Sequence, residues 1–183
     1  MELEYPKINY SLLTGAISYY KRNGFKYIDV PWIVPKEITN ITFNRDNMFN
    51  TKLGDLVGSA EQSFISLMLS NKLEKGTYSA LTPCFRNETN ITKTNQNYFM
   101  KVELIDTKTV THDRLLQIIN VCFDFFKRYI SEHDKITVIQ TDDGYDIMVN
   151  DIEVGSYGIR MYNEYSWIYA TGLAEPRFSV SME

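Results

Sequence analysis

Two runs of alternating residues, Tyr78 to Arg86 and Tyr98 to Asp106, constrain this chain more than any other feature. Side chains of an extended strand point to opposite faces in turn, so residues two apart share a face. In the second run Phe99, Lys101 and Glu103 share one face, while Met100, Val102 and Leu104 share the other. A strand with one charged and one apolar face belongs to an antiparallel sheet whose apolar face covers the core. The polar stretch between the runs, rich in Asn and Thr, predicts a hairpin with a long tip.

Around this hairpin the hydrophobic spacing changes from two to helical. Leu13, Ile17 and Tyr20 predict a first helix over Asn9 to Arg22, stopped at Gly24. Phe25 to Pro31 reads as a strand closed by a proline, and residues 36–57, which lack periodicity, read as loop. Ser59 and Gln62 have capping-box spacing ahead of Ile65, Met68 and Leu69, so a second helix is expected from Ser59 to about Leu73. The apolar stripe from Leu115 to Tyr129 predicts the longest helix, Thr111 to Glu132.

A meander follows, with strands expected at Ile136 to Gln140, Tyr145 to Val149, Ile152 to Tyr157, Gly158 to Tyr162 and Ser166 to Thr171. Asp143-Gly144 and Asn150-Asp151 are its turn signals. The fold class that emerges is α+β, a mostly antiparallel sheet flanked by helices. With 183 residues, 44% of them hydrophobic, residues 1–183 are expected to form one domain with a full core.

Several function classes lose support at this stage. Met1 to Lys7 has no apolar run of signal-peptide length, and no stretch is long enough to span a membrane, so a soluble cytoplasmic protein is expected. Cys84 and Cys122 are isolated in apolar segments and read as reduced, buried thiols. His112 and His133 have no metal-ligand partner nearby and read as solvated or core histidines. The formal charge of −4 gives no footprint of an autonomous nucleic-acid binder. Gly54 to Ser59 lacks the Lys of a Walker-type phosphate loop.

The charged face of the hairpin has two readings. It is either a solvated outer face, the default for antiparallel strands, or a nucleotide platform in which Arg86 meets phosphate, Phe99 stacks and Glu88 meets the base. The residues themselves favour the platform. Thr82-Pro83-Cys84-Phe85-Arg86-Asn87-Glu88, followed by Tyr98-Phe99-Met100-Lys101-Val102-Glu103, closely resembles motif 2 of the class II aminoacyl-tRNA synthetases, the seryl-type subgroup above all. The resemblance implies that Arg86 holds the α-phosphate of ATP, Glu88 the adenine amino group, and Phe99 the face of the base. Lys101 and Glu103 fall where the subgroup places residues near the amino acid.

Further segments resemble the family in the same order. The first helix with Gly24 to Pro31 looks like motif 1, which implies a homodimer interface. Ser59-Ala60-Glu61 resembles the Thr-x-Glu loop whose Glu receives the substrate ammonium; taken alone, Glu61 also suits the first turn of a helix, where an acid opposes the dipole. Glu153-Val154-Gly155-Ser156 resembles the segment that implies Glu153 and Ser156 as Mg²⁺ ligands, although an acid and a hydroxyl on one strand are common. Thr171 to Arg177 is similar to motif 3, which implies that Arg177 binds the γ-phosphate. Pro176 departs from the family's usual Gly, six residues follow Arg177 where motif 3 continues as a long helix, and an anticodon-binding domain is not expected.

The resemblance implies ATP-dependent amino-acid activation, with Arg86 and Arg177 as the catalytic cations, ATP and Mg²⁺ as substrate and cofactor, and tRNA or another molecule as acceptor. Two alternatives stay open: a non-catalytic paralogue that binds or senses a ligand, and an amide ligase resembling ammonia-dependent asparagine synthetase.

Overall fold

The computed structural model describes residues 5–42 and 48–183. Its main sheet has seven strands. In chain order they are β1 (Lys26–Tyr27), β5 (Thr77–Phe85), β6 (Tyr98–Asp106), β7 (Ile136–Thr141), β8 (Gly144–Val149), β9 (Ile152–Tyr162) and β10 (Tyr165–Glu175). Across the sheet they lie in the order β1-β5-β6-β10-β9-β8-β7, antiparallel except for β1 against β5. A small second sheet joins β2 (Ile33–Val34), β4 (Gly54–Leu56) and β3 (Asn50–Thr51) in that order.

The predicted hairpin forms in full register, with Thr77 opposite Asp106 and Phe85 opposite Tyr98. Pro83 is tolerated inside β5 because β1 pairs only with Tyr78 and Ser79, so the missing N–H falls where that flank has no ladder. The apolar face of β6 is buried as expected: Val102 and Leu104 pack with α1 (Tyr10–Arg22) and α4 (His112–Lys127). Both helices start at side-chain caps, Asn9 accepting from the Leu12 amide and Thr111 from the Arg114 amide. The opposite face meets α2 (Lys36–Thr42) and α3 (Ala60–Leu69) through Phe64, Ile65 and Trp167.

Several sequence expectations require correction. The segment 36–57 is not loop throughout: it holds α2, β3 and β4, elements too short to show a period, while residues 43–47 lie outside the described residues. The strand predicted over Phe25 to Pro31 is confined to Lys26 and Tyr27. The longest helix ends at Lys127 rather than Glu132, and α3 ends at Leu69 rather than near Leu73. Ser59 does cap α3, yet Gln62 accepts from the Gly58 amide rather than from that of Ser59. The β7–β8 turn falls on Asp142 and Asp143, one residue before the expected pair. Ile152 to Tyr162 is one continuous strand, not two, and β10 runs four residues past Thr171, to Glu175.

Two bulges shape the sheet beside the site. On β9 the register steps from Gly155 opposite Ile147 to Glu153 opposite Met148, leaving Val154 as the extra residue. On β10 it steps from Thr171 opposite Glu103 to Leu173 opposite Val102, leaving Gly172 extra. Each bulge reverses the in-out parity of the strand beyond it. Glu153 and Ser156, three apart, thereby reach one face, and so do Thr171 and Ala174.

Gly172 has no room for a side chain. A Cβ there would lie 2.7 Å from the Tyr20 ring and 3.0 Å from the Val102 carbonyl oxygen, and the fully buried Tyr20 hydroxyl donates to the Gly172 carbonyl at 2.7 Å. Gly172→Ala is expected to cost about 2 kcal/mol through overpacking against a ring that cannot step aside. Thermal unfolding of the variant, compared with wild type, checks this; an unchanged midpoint would rule the crowding out.

Candidate active site

On the face of the sheet that carries α3, next to that helix's first turn, lies a cavity of about 350 Å³, within the range of small-ligand sites. Every residue proposed from sequence lines it: Glu61, Arg86, Glu88, Phe99, Lys101, Glu103, Glu153, Ser156 and Arg177. Strand parity brings them together. Phe99, Lys101 and Glu103 project from β6, and Thr171 stands opposite Glu103 with Ala174 opposite Lys101 because the Gly172 bulge resets β10.

At the outer end, the Arg86 guanidinium lies over the Phe99 ring, 5.1 Å from its centroid, and Arg86 Nε donates to the Gly58 carbonyl at 3.2 Å. The hairpin tip folds over this end. Arg177, the first residue of α5 (Arg177–Ser181), donates from Nε to the Thr94 carbonyl and from Nη2 to Asn95 Oδ1, both at 3.3 Å. Its Nη1 pairs with Glu153 Oε1 at 3.3 Å. Arg177 is therefore held by three contacts despite the shortness of α5.

At the inner end, Glu103 is engaged on all sides. Its carboxylate accepts from Ser59 Oγ at 2.5 Å, the Ala60 amide at 2.6 Å and Lys101 Nζ at 3.0 Å. Burial pushes the Glu103 carboxyl up, and Lys101, Ser59 and the Ala60 amide together outweigh that, holding it below the usual carboxylate range. Glu103 thus serves as an outside cap for α3, donating its charge to the positive end of the helix.

Glu61 is equally occupied. Oε1 accepts from Trp167 Nε1 at 2.7 Å, and Oε2 makes a close ion pair with Arg160 Nη1. Burial is the largest influence on its carboxyl and leaves it above the usual range in spite of Arg160 and Trp167. Arg160, Trp167 and Tyr169 escaped the sequence reading. Arg160 and Trp167 are direct partners across β9 and β10, and the Arg160 guanidinium lies over the Tyr169 ring at 4.1 Å. Alternation counted from Ser156 would have reached Arg160 through Gly158, but dividing the strand at Tyr157 broke the count.

The metal question rests on Glu153 and Ser156. The Val154 bulge brings both to the cavity face, and Ser156 pairs across β8 with Asp146, whose carboxyl is raised by burial despite a hydrogen bond from Ser156. Among the described residues no three His, Cys, Asp or Glu side chains converge as a cage. That donor set suits Mg²⁺, which takes one or two protein carboxylates and fills its shell with phosphate and water.

No family model matches this chain, and no curated protein matches it by sequence. Solved structures do match its fold. Seryl-tRNA synthetase from Pyrococcus horikoshii, complexed with ATP, superposes with a TM-score of 0.78 at 17% identity, covering 94% of this chain and 49% of that one. Two structures of pyrrolysyl-tRNA synthetase from Desulfitobacterium hafniense give 0.70 and 0.72 at 14% and 15% identity. Each covers 93% of this chain, which spans 68% and 65% of theirs.

Proposed function

We infer that this chain, which has the catalytic fold of the class II aminoacyl-tRNA synthetases, binds ATP and an amino acid and joins them as an aminoacyl adenylate. The observation that carries the reading is the cluster of Arg86 over Phe99 with Glu88, Glu153 and Arg177 around one cavity. A guanidinium stacked on a ring at a sheet face suits a phosphate beside an adenine, and a second guanidinium from α5 suits the far end of a triphosphate. The ATP in the seryl-tRNA synthetase neighbour supports that choice of nucleotide.

In this reading an amino-acid carboxylate oxygen attacks the α-phosphorus in line, the new acyl–phosphate bond forms, and the bond to the bridging oxygen breaks to release pyrophosphate. The protein supplies alignment and positive charge rather than a covalent partner. Arg86 stabilises the charge gathering on the α-phosphate and Arg177 that on the departing pyrophosphate. Glu153, with Ser156, would hold Mg²⁺, which when bound neutralises phosphate charge. For that, MgATP must separate Arg177 from Glu153, a pair at 3.3 Å that substrate can part without leaving either charge unmatched.

The wider proposal takes residues 1–183 as one cytoplasmic catalytic domain acting on tRNA or another acceptor, and as a homodimer through α1 and the Gly24 to Pro31 segment. Tyr10 on α1 and Trp32, the residue after Pro31, are large apolar side chains left 63% and 53% exposed there. Sedimentation would test it, a monomer at micromolar concentration refuting the dimer. No helix among the described residues is long and apolar enough to cross a membrane.

ATP–pyrophosphate exchange across a panel of amino acids tests the activity itself. Exchange dependent on one amino acid, or on a closely related pair, is the expected outcome. The three internal ion pairs of the cavity favour a second reading, a ligand-binding paralogue without turnover; ATP binding with no exchange for any amino acid would select it.

A further inference from the structure

The inner end of the cavity is matched unevenly in donors and acceptors. Glu61, 5% exposed, has both oxygens taken by Arg160 and Trp167, and Glu103, 2% exposed, is filled by Ser59, Ala60 and Lys101. Each oxygen of both acids already accepts from a protein donor, and each carboxylate already faces a cation, Arg160 for Glu61 and Lys101 for Glu103, so a substrate cation would meet charge that is largely matched. On the donor side the count is open. Among the described residues Arg160 donates to protein only from Nη1, so Nε and Nη2 remain, on a side chain that lines the cavity and is 36% exposed overall.

A second donor stands in the same wall. Gln62 is fully buried and lines the cavity; its Oε1 accepts from the Gly58 amide at 2.8 Å, which fixes the orientation of the amide group. Among the described residues its Nε2 has no partner, an arrangement that costs free energy unless a ligand or water completes it.

Arg160 is also immobilised in a way that a merely solvated arginine is not. Glu61 grips Nη1, Trp167 fixes Glu61 from the other side, and the Tyr169 ring supports the guanidinium plane. The result is a planar fork with one edge anchored and another edge presented, which is the geometry that takes a carboxylate through two parallel hydrogen bonds.

We propose that Arg160 reads a carboxylate on the side chain of the substrate, so that the cavity takes an acidic amino acid, with Glu61 as the positioning residue that aims Arg160. This rests on the activation reading for the reacting carboxylate, which belongs at the Arg86 end. It assigns the second carboxylate to the Arg160 end. A site built to satisfy charged acceptors rejects an isosteric amide strongly, because the amide presents N–H groups to donors.

The test uses the full chain with aspartate, glutamate, asparagine and glutamine as exchange substrates. Aspartate or glutamate is expected to exceed its amide by at least about 100-fold in kcat/KM. Removing Arg160 alone would leave Glu61 buried and unpaired, so the informative variant is Glu61→Gln with Arg160→Met, which keeps the wall neutral. It should bring the acid and its amide within about tenfold of each other while ATP affinity holds, and Arg160→Lys should keep the acid preference with a raised KM.

Exchange with a neutral amino acid and none with either acid would overturn the proposal and leave activation standing. Loss of exchange with every substrate in a double variant that melts and binds ATP normally would also overturn it, since Arg160 would then hold the reacting carboxylate. Should wild type exchange with nothing, activation itself fails, and calorimetry decides the inference separately: binding of aspartate or glutamate that the double variant loses upholds it, and no binding ends it.

Discussion

Arg86→Ala is expected to lower ATP–pyrophosphate exchange by about 10²–10³-fold while leaving the thermal midpoint close to wild type. The side chain is partly exposed at the rim of the cavity and belongs to neither hydrophobic core cluster, so truncation leaves the core packing in place. What it removes is the guanidinium over the Phe99 ring, in the position where charge would gather on an α-phosphate. Because that charge is larger in the transition state than in bound ATP, kcat should fall more than ATP affinity. Exchange kinetics beside equilibrium nucleotide binding separate the two. A variant with near-normal exchange would take Arg86 out of the chemistry and with it the proposed function.

Glu103→Gln should be the most damaging single change to stability in the cavity wall, about 3 kcal/mol, which for a chain of this size lowers the midpoint by roughly 6–12 °C. The carboxylate joins β6 to the first turn of α3 through Ser59 and Ala60 and neutralises Lys101. A glutamine replaces one of the two acceptor oxygens with an NH₂ donor, and it leaves the Lys101 ammonium, 12% exposed, without its counter-ion.

The pH dependence follows from the direction of the Glu103 shift. A carboxyl held below its unfolded value contributes stability above the ordinary carboxylate range and loses it as pH falls through the depressed value. Wild type should therefore lose stability steeply on strong acidification and the glutamine variant less steeply. Parallel curves in a thermal melt series would show that Glu103 is not the coupled group.

Much of this arrangement was legible in the chain. The β5–β6 hairpin needed only alternation, and the same parity separated Lys101 and Glu103 from Val102 and Leu104 correctly. The Ser59 cap and the α4 stripe carried their own signals. Short elements did not: β2, β3 and β4, of two or three residues each, are held by pairing and by burial of Val34 and Asp55 rather than by any local pattern. The internal pairing of Glu61 with Arg160 was hidden for a different reason. It joins residues far apart in sequence, and a lone acid and a lone arginine carry no mark of each other until the strands are laid side by side.

The extra residues at Val154 and Gly172 carry a consequence for anyone transplanting or trimming this protein. Drawing either one into a straight ladder, with no residue left over, would give a plausible set of hydrogen bonds, yet would turn Glu153 inward to the core in the first case and swap Ala174 with Leu173 in the second. A gap-free alignment with a straight-stranded sheet would commit the same error on paper, assigning ligand contacts to side chains that face away from the ligand.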